Sequence, residues 1–117
     1  MQMIQLLFFH LLFQSSIFTI SVDLFYLELS SENLLIDVRT PEEFKEGHIE
    51  GALNISVLSG DFKKKINELP KEAPVYIYCR SGKRSKKAAI QKDSLGFKKI
   101  FDIEGGYIAW KKFNLIE

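Results

Sequence analysis

From Ile17 onward, short apolar runs alternate with amphipathic segments, and this alternation constrains the fold more than any other feature of the chain. A strand covered on both faces reads as a continuous apolar run, and repeated strand-helix units bring such strands together in a parallel sheet. The runs are Ile17–Ile20, Asn33–Val38, Ala52–Val57, Val75–Tyr78 and Lys98–Ile103. Leu34-Leu35-Ile36 marks a central strand, and the β-branched and aromatic Val75-Tyr76-Ile77-Tyr78 is the clearest strand in the sequence. With 117 residues the chain has the length of one domain.

Helix signals fill the intervals. Ser21 caps a helix over Val22–Leu29, with Leu24, Phe25 and Leu29 as its apolar face. Thr40-Pro41-Glu42-Glu43 combines an N-cap, a proline at the first helical position and a glutamate that closes a capping box, and Gly47 stops that helix. Phe62, Ile66 and Leu69 fall at i, i+4 and i+7 in a helix over Asp61–Leu69. A further helix is predicted over Arg84–Ser94, with Ala88, Ala89 and Leu95 inward and Gly96 as its cap. Gly105-Gly106 turns the chain into a last helix whose Tyr107, Trp110 and Phe113 read as core anchors.

Charge divides the sequence in two. Met1 to Val22 contain no Lys, Arg, Asp or Glu, and all 31 charged residues lie in the following 95 positions. The apolar stretch Met1–Phe13 lacks the basic start and small-residue cleavage site of an export signal and is short for a membrane span. A degenerate signal, a helix packed on the domain and a mis-assigned start codon are the three readings of residues 1–16, and the folded domain is expected over residues 17–117. The expected location is cytoplasmic, the alternative being export or membrane association through this segment.

A net charge of +1 provides no overall field for nucleic acid or anionic membrane. The single cysteine excludes an intrachain disulfide and a cysteine-based zinc cluster, and His10 and His48 lack metal-site spacing. No metal or other cofactor is expected. His10 is read as part of an apolar face.

The remaining thiol sits in Cys79-Arg80-Ser81-Gly82-Lys83-Arg84-Ser85, between the carboxyl end of the clearest strand and a helix start, where open α/β sheets bind ligands. A tight loop there can turn successive N–H groups towards one point, Gly82 permits the angles this needs, and the helix dipole adds positive potential. These effects favour an anion and hold a thiol as thiolate, which makes Cys79 a nucleophile candidate. Arg80, Lys83, Arg84, Lys86 and Lys87 put five cations into the nine residues from Cys79 to Lys87, pointing to a small anionic ligand. The competing reading makes Cys79 an inert strand-end residue and the cations a solvated helix face.

At these residues the sequence resembles the rhodanese family, over approximately residues 17–115. The blocks are Leu35-Ile36-Asp37-Val38-Arg39, Pro41-Glu42-Glu43-Phe44, Gly47-His48-Ile49 with Gly51-Ala52, Tyr78–Ser85, Leu95-Gly96-Phe97, and Gly105-Gly106 with Trp110. The resemblance implies a rhodanese-like three-layer α/β fold with a five-stranded parallel sheet flanked by helices. It also implies a sulfurtransferase in which Cys79 takes a sulfane sulfur from thiosulfate or a related donor as a persulfide and yields it to a thiol or cyanide.

On that reading Lys83 and Arg84 bind the donor's sulfonate oxygens, Arg80 steers the anion or stays solvated, and Ser85 bonds the loop or caps the helix, with Ser81 and Gly82 completing the substrate-binding loop. Asp37 and Arg39 pair within the domain, and His48 bonds backbone in a turn. The phosphatase and arsenate-reductase branch of the fold has five residues between cysteine and arginine, whereas four separate Cys79 from Arg84, a cradle small for a phosphate ester. The alternative function is a non-catalytic sulfur carrier or interaction module. Expected partners are a small anionic sulfur donor and a thiol acceptor, with no nucleic acid, no metal, and membrane contact only through residues 1–16; a monomer is expected.

Overall fold

The structure is a computed structural model and describes residues 16–29, 32–83 and 96–116. Five strands, β1 (Ser16–Ile20), β2 (Leu34–Asp37), β3 (Leu53–Asn54), β4 (Val75–Tyr78) and β5 (Lys99–Ile103), form one sheet. Their spatial order is β1-β5-β4-β2-β3, with all neighbouring pairs parallel. The four described helices are α1 (Val22–Glu28), α2 (Pro41–Glu46), α3 (Phe62–Asn67) and α4 (Gly106–Ile116). The helix predicted over Arg84–Ser94, the segment before β1, and Arg84, Ser85, Lys86 and Lys87 lie outside the described residues.

Alternation along the strands builds two cores, one on each face of the sheet. Ile36, Val75, Ile77 and Ile100 pack with Phe62 and Ile66 of α3 and with Phe97. On the opposite face, Leu35, Tyr76, Tyr78 and Ile103 pack with Val22 and Phe25 of α1, and Tyr107, Ala109, Trp110 and Phe113 of α4 close this layer. Helix, sheet and helix make three layers, and β4 is the middle strand. Trp110 meets Phe25 edge-on at 5.6 Å between ring centroids, so α1 and α4 lock together across an aromatic contact.

The helix starts follow their local chemistry. Ser21 Oγ accepts from the Leu24 N–H at 3.3 Å, capping α1. At α2 the capping box is complete: Glu43 N–H donates to Thr40 Oγ1 at 3.2 Å, and Thr40 N–H donates to Glu43 Oε1 at 3.1 Å.

Two elements are shorter than their sequence patterns. The run Ala52–Val57 yields only the two-residue β3, because β2 ends at Asp37 and leaves no further ladder to join. Ile55 and Val57 N–H groups still bond the Asp37 and Val38 carbonyls, at 3.0 and 3.1 Å, from irregular backbone. Their apolar character comes from packing into the α3-side core. Helix α3 stops at Asn67, and its end tightens into i to i−3 bonds, Glu68 N–H to Lys65 O at 3.2 Å and Leu69 N–H to Ile66 O at 3.1 Å. Among the described residues no helix is long and apolar enough to cross a membrane.

Candidate active site

Cys79 follows β4 directly and, two positions beyond Ile77, points into the α3-side core, 1% exposed. Pairing holds up to its doorstep, since the Val38 N–H donates to the Tyr78 carbonyl at 3.0 Å. The chain then turns so sharply that the Gly82 N–H donates to Cys79 Sγ at 3.0 Å. Gly82 has φ +106°, a region L side chains rarely adopt, and is buried, while Arg80, Ser81 and Lys83 are exposed. The sequence-predicted residues Cys79, Arg80, Ser81, Gly82 and Lys83 thus share one loop; Arg84 and Ser85 lie outside the described residues.

The start of α4 forms a second wall. Tyr107 N–H donates to the Cys79 carbonyl at 2.8 Å and Ile108 N–H donates to the Arg80 carbonyl at 3.1 Å. These donors belong to the first turn, where helix N–H groups have no intrahelical partner. Sequence reasoning gave Gly105-Gly106 only a turn and Tyr107 only a core role. The adjacent glycines fit a close backbone approach, but they fit a plain turn equally well.

The end of β2 supplies a third group of contacts. Arg39 is buried and clasps Asp37 through Nε at 3.0 and 3.1 Å and Nη2 at 2.7 Å, while its own N–H donates to Asp37 Oδ1 at 2.9 Å. Nη2 also donates to the Gly47 carbonyl at 2.6 Å, and the guanidinium lies 4.3 Å from the Tyr107 ring centroid. Burial opposes the Arg39 charge, but the Asp37 hydrogen bonds and negative charge outweigh it, and the guanidinium pKa is raised. Asn54 Nδ2 donates to the carbonyls of Asp37 and Arg39 at 3.1 and 2.9 Å, fixing the backbone on either side of Val38.

Tyr78 was not singled out as a site residue from sequence. Its Oη accepts from the Ile49 N–H at 3.0 Å and so ties the Gly47-His48-Ile49 turn to β4. Burial first, then the hydrogen bond and charge of Asp37, push the Tyr78 hydroxyl pKa well above its ordinary value. His48 itself is exposed, bonds the Phe44 carbonyl through Nδ1 at 2.8 Å and stacks on the Phe44 ring at 3.6 Å. It finishes α2, and its contacts with Phe44 lie within that helix end.

Two clefts border this loop. One of about 480 Å³ presents Arg80 and Lys111 beside Arg39, Tyr107 and Glu46. The other, of about 340 Å³, runs along Ser81, Gly82 and Lys83 to Gly105 and Asp102. The arrangement can hold a sulfur anion: a buried thiol meets a backbone N–H, in a turn bordered by cationic side chains.

Comparison with known proteins identifies the family. The family model described as Rhodanese-like domain matches residues 21–113. The chain is 38% identical over 82 residues to a protein named Sulfurtransferase from Allochromatium vinosum, covering 70% of this chain and 75% of that one. It is 36% identical over 107 residues to thiosulfate sulfurtransferase 16, chloroplastic, of Arabidopsis thaliana, covering 83% and 89%. The crystal structure of a rhodanese-related protein from Thermoplasma volcanium superposes with a TM-score of 0.73 at 27% identity, covering 82% of this chain and 92% of that one. Other curated relatives are longer, and the chain spans 59% of one and 52% of another. With the match running from the α1 cap to the last turns of α4, the chain belongs to the rhodanese-like domain family.

Proposed function

We propose that the protein is a thiosulfate sulfurtransferase that carries sulfur as a persulfide on Cys79. The observation that carries the reading is the Gly82 N–H directed at Cys79 Sγ at the end of the middle strand. A donor at that point is placed to bind the anionic terminal sulfur of the intermediate. The family membership and the relatives named as sulfurtransferases support the same class of reaction.

The chemistry divides into two displacements. The Cys79 thiolate attacks the outer sulfur of thiosulfate; a sulfur-sulfur bond to Sγ forms, the bond to the sulfonate sulfur breaks, and its electron pair leaves on sulfite. An acceptor then attacks the terminal sulfur, and the Sγ–S bond breaks to return the thiolate. Cyanide leaves as thiocyanate, and a thiolate leaves as its own persulfide. No proton has to be removed during either displacement, so a neighbouring general base is unnecessary. Lys83 and Arg84 are assigned to the sulfonate oxygens and Arg80 to drawing the dianion in, with Ser81 and Ser85 completing the loop.

Thiocyanate production from thiosulfate and cyanide tests the assignment. The purified chain is expected to turn over, and Cys79→Ser to be inactive while still folded by circular dichroism. Absence of turnover in the wild-type chain with thiosulfate would remove this donor, and turnover retained in Cys79→Ser would remove the cysteine mechanism.

A further inference from the structure

The loop amides can serve a sulfur anion only if their carbonyls are turned away from it. A trans peptide is planar, with its C=O and N–H on opposite sides, so fixing one fixes the other. The Cys79 carbonyl is held by the Tyr107 N–H at 2.8 Å, which sets the direction of the Arg80 N–H. The Arg80 carbonyl is held by the Ile108 N–H at 3.1 Å, which sets the direction of the Ser81 N–H. Resting on the persulfide reading, we propose that the first turn of α4 is a positioning device: it holds the Arg80 and Ser81 peptides in the orientation that lets their N–H groups join the Gly82 N–H in binding the transferred sulfur.

Gly106 is the residue that allows it. It has φ +57°, and a Cβ there would fall on the Cys79 carbonyl oxygen and lie 2.9 Å from the Arg80 carbonyl carbon and oxygen. Real Cβ atoms do not approach backbone that closely, so any side chain would push the helix start off the two carbonyls it holds. The helix contributes here through two aimed donors that would otherwise lack an intrahelical partner. It is also anchored well away from the loop, since Trp110 packs on Phe25 of α1. Preset peptides need no reorganisation as charge moves onto the terminal sulfur.

The test compares Ile108→Pro, which deletes the second donor, with Ile108→Ala, which keeps it. Ile108 is 38% exposed, so losing its side chain costs little packing. In single-turnover reactions with thiosulfate, corrected for the folded fraction, the limiting rate of Cys79 persulfide formation is expected to fall by about tenfold in Ile108→Pro relative to Ile108→Ala. The half-saturating thiosulfate concentration is expected to stay within about twofold, because the charges that gather the donor are untouched. Loss of folded protein alone would lower the amplitude and leave the rate of the folded molecules unchanged. Equal limiting rates in the two variants overturn the proposal.

Should Ile108→Pro fail to fold, amide hydrogen exchange on the wild-type chain decides. The Tyr107 and Ile108 amides are expected to be protected to the level of the α4 interior, and exchange at the rate of exposed amides overturns the proposal. This exchange readout needs no sulfur transfer. Protected amides in a chain that forms no persulfide would therefore count against the function and not against the clamp.

Discussion

Arg39 shows how one residue ties together separate parts of the chain. Its guanidinium joins the end of β2, the Gly47 turn after α2 and the Tyr107 ring of α4, all around the base of the cysteine loop. A buried pair is weak evidence of net stabilisation, but removing one partner strands the other charge in low dielectric. Arg39→Met is therefore expected to cost about 3–5 kcal/mol in urea unfolding, and a loss below about 1 kcal/mol contradicts a buried, charged Asp37. The pairing of Asp37 with Arg39 was legible from their places in a family block at a strand end. The hydrogen bond to Gly47 and the cation-π contact with Tyr107 were not, because they depend on where two other segments cross the end of the sheet. Cys79 stood out from its place between a strand and a cationic loop; the Gly106 approach did not, since a glycine pair before a helix signals only a turn until the neighbouring backbone is known.

Elements follow the sequence where local chemistry decides and depart from it where a neighbour does. Helix α2 has no buried residue among its six and starts with a complete capping box, so its N-terminus depends heavily on that cap. Thr40→Ala is expected to cost about 1 kcal/mol in global stability. Thr40→Ser, which keeps the oxygen, should cost clearly less; equal losses would mean that the methyl and not the cap is at issue. The N-caps of α1 and α2 and the extent of β4 could be read residue by residue. β3 could not: Ile55 and Val57 have strand periodicity, yet they sit beyond the end of β2 and have no ladder to enter. A hydrophobic pattern reports which side chains are buried and says nothing of whether a neighbouring strand reaches that far.

At the scale of the molecule, strand order explains the site. The order β1-β5-β4-β2-β3 puts β4 in the middle, covered on both faces, so the loop after it is framed by the ends of β2 and β5 and by α4. Parallel strands could be recognised from the alternation of runs, while their spatial order could not, because crossovers leave no mark in periodicity. The middle strand also gives stability an alkaline limit. Tyr76 donates to Glu28 Oε2 at 2.6 Å, and burial followed by Glu28 pushes its hydroxyl pKa above the ordinary 10.0; Tyr78 is raised as well, by burial and then Asp37. Below that ordinary value the native and unfolded chains both keep these protons. Above it the unfolded tyrosines ionise while the native ones do not, so the native state binds more protons and stability falls as pH rises. Urea unfolding between about pH 9 and pH 11.5 is expected to show this fall, with a shallower slope in Tyr76→Phe than in wild type. Parallel slopes would contradict a raised Tyr76.

The central claim concerns one bond on one atom, and intact mass measurement reads it directly. After brief exposure to thiosulfate and removal of the excess, the chain is expected to gain the mass of one sulfur atom. Cyanide or a reducing thiol should return it to the starting mass, and Cys79→Ser should never gain it. A wild-type chain that stays at its unmodified mass, or a Cys79→Ser chain that gains the sulfur, would contradict the account.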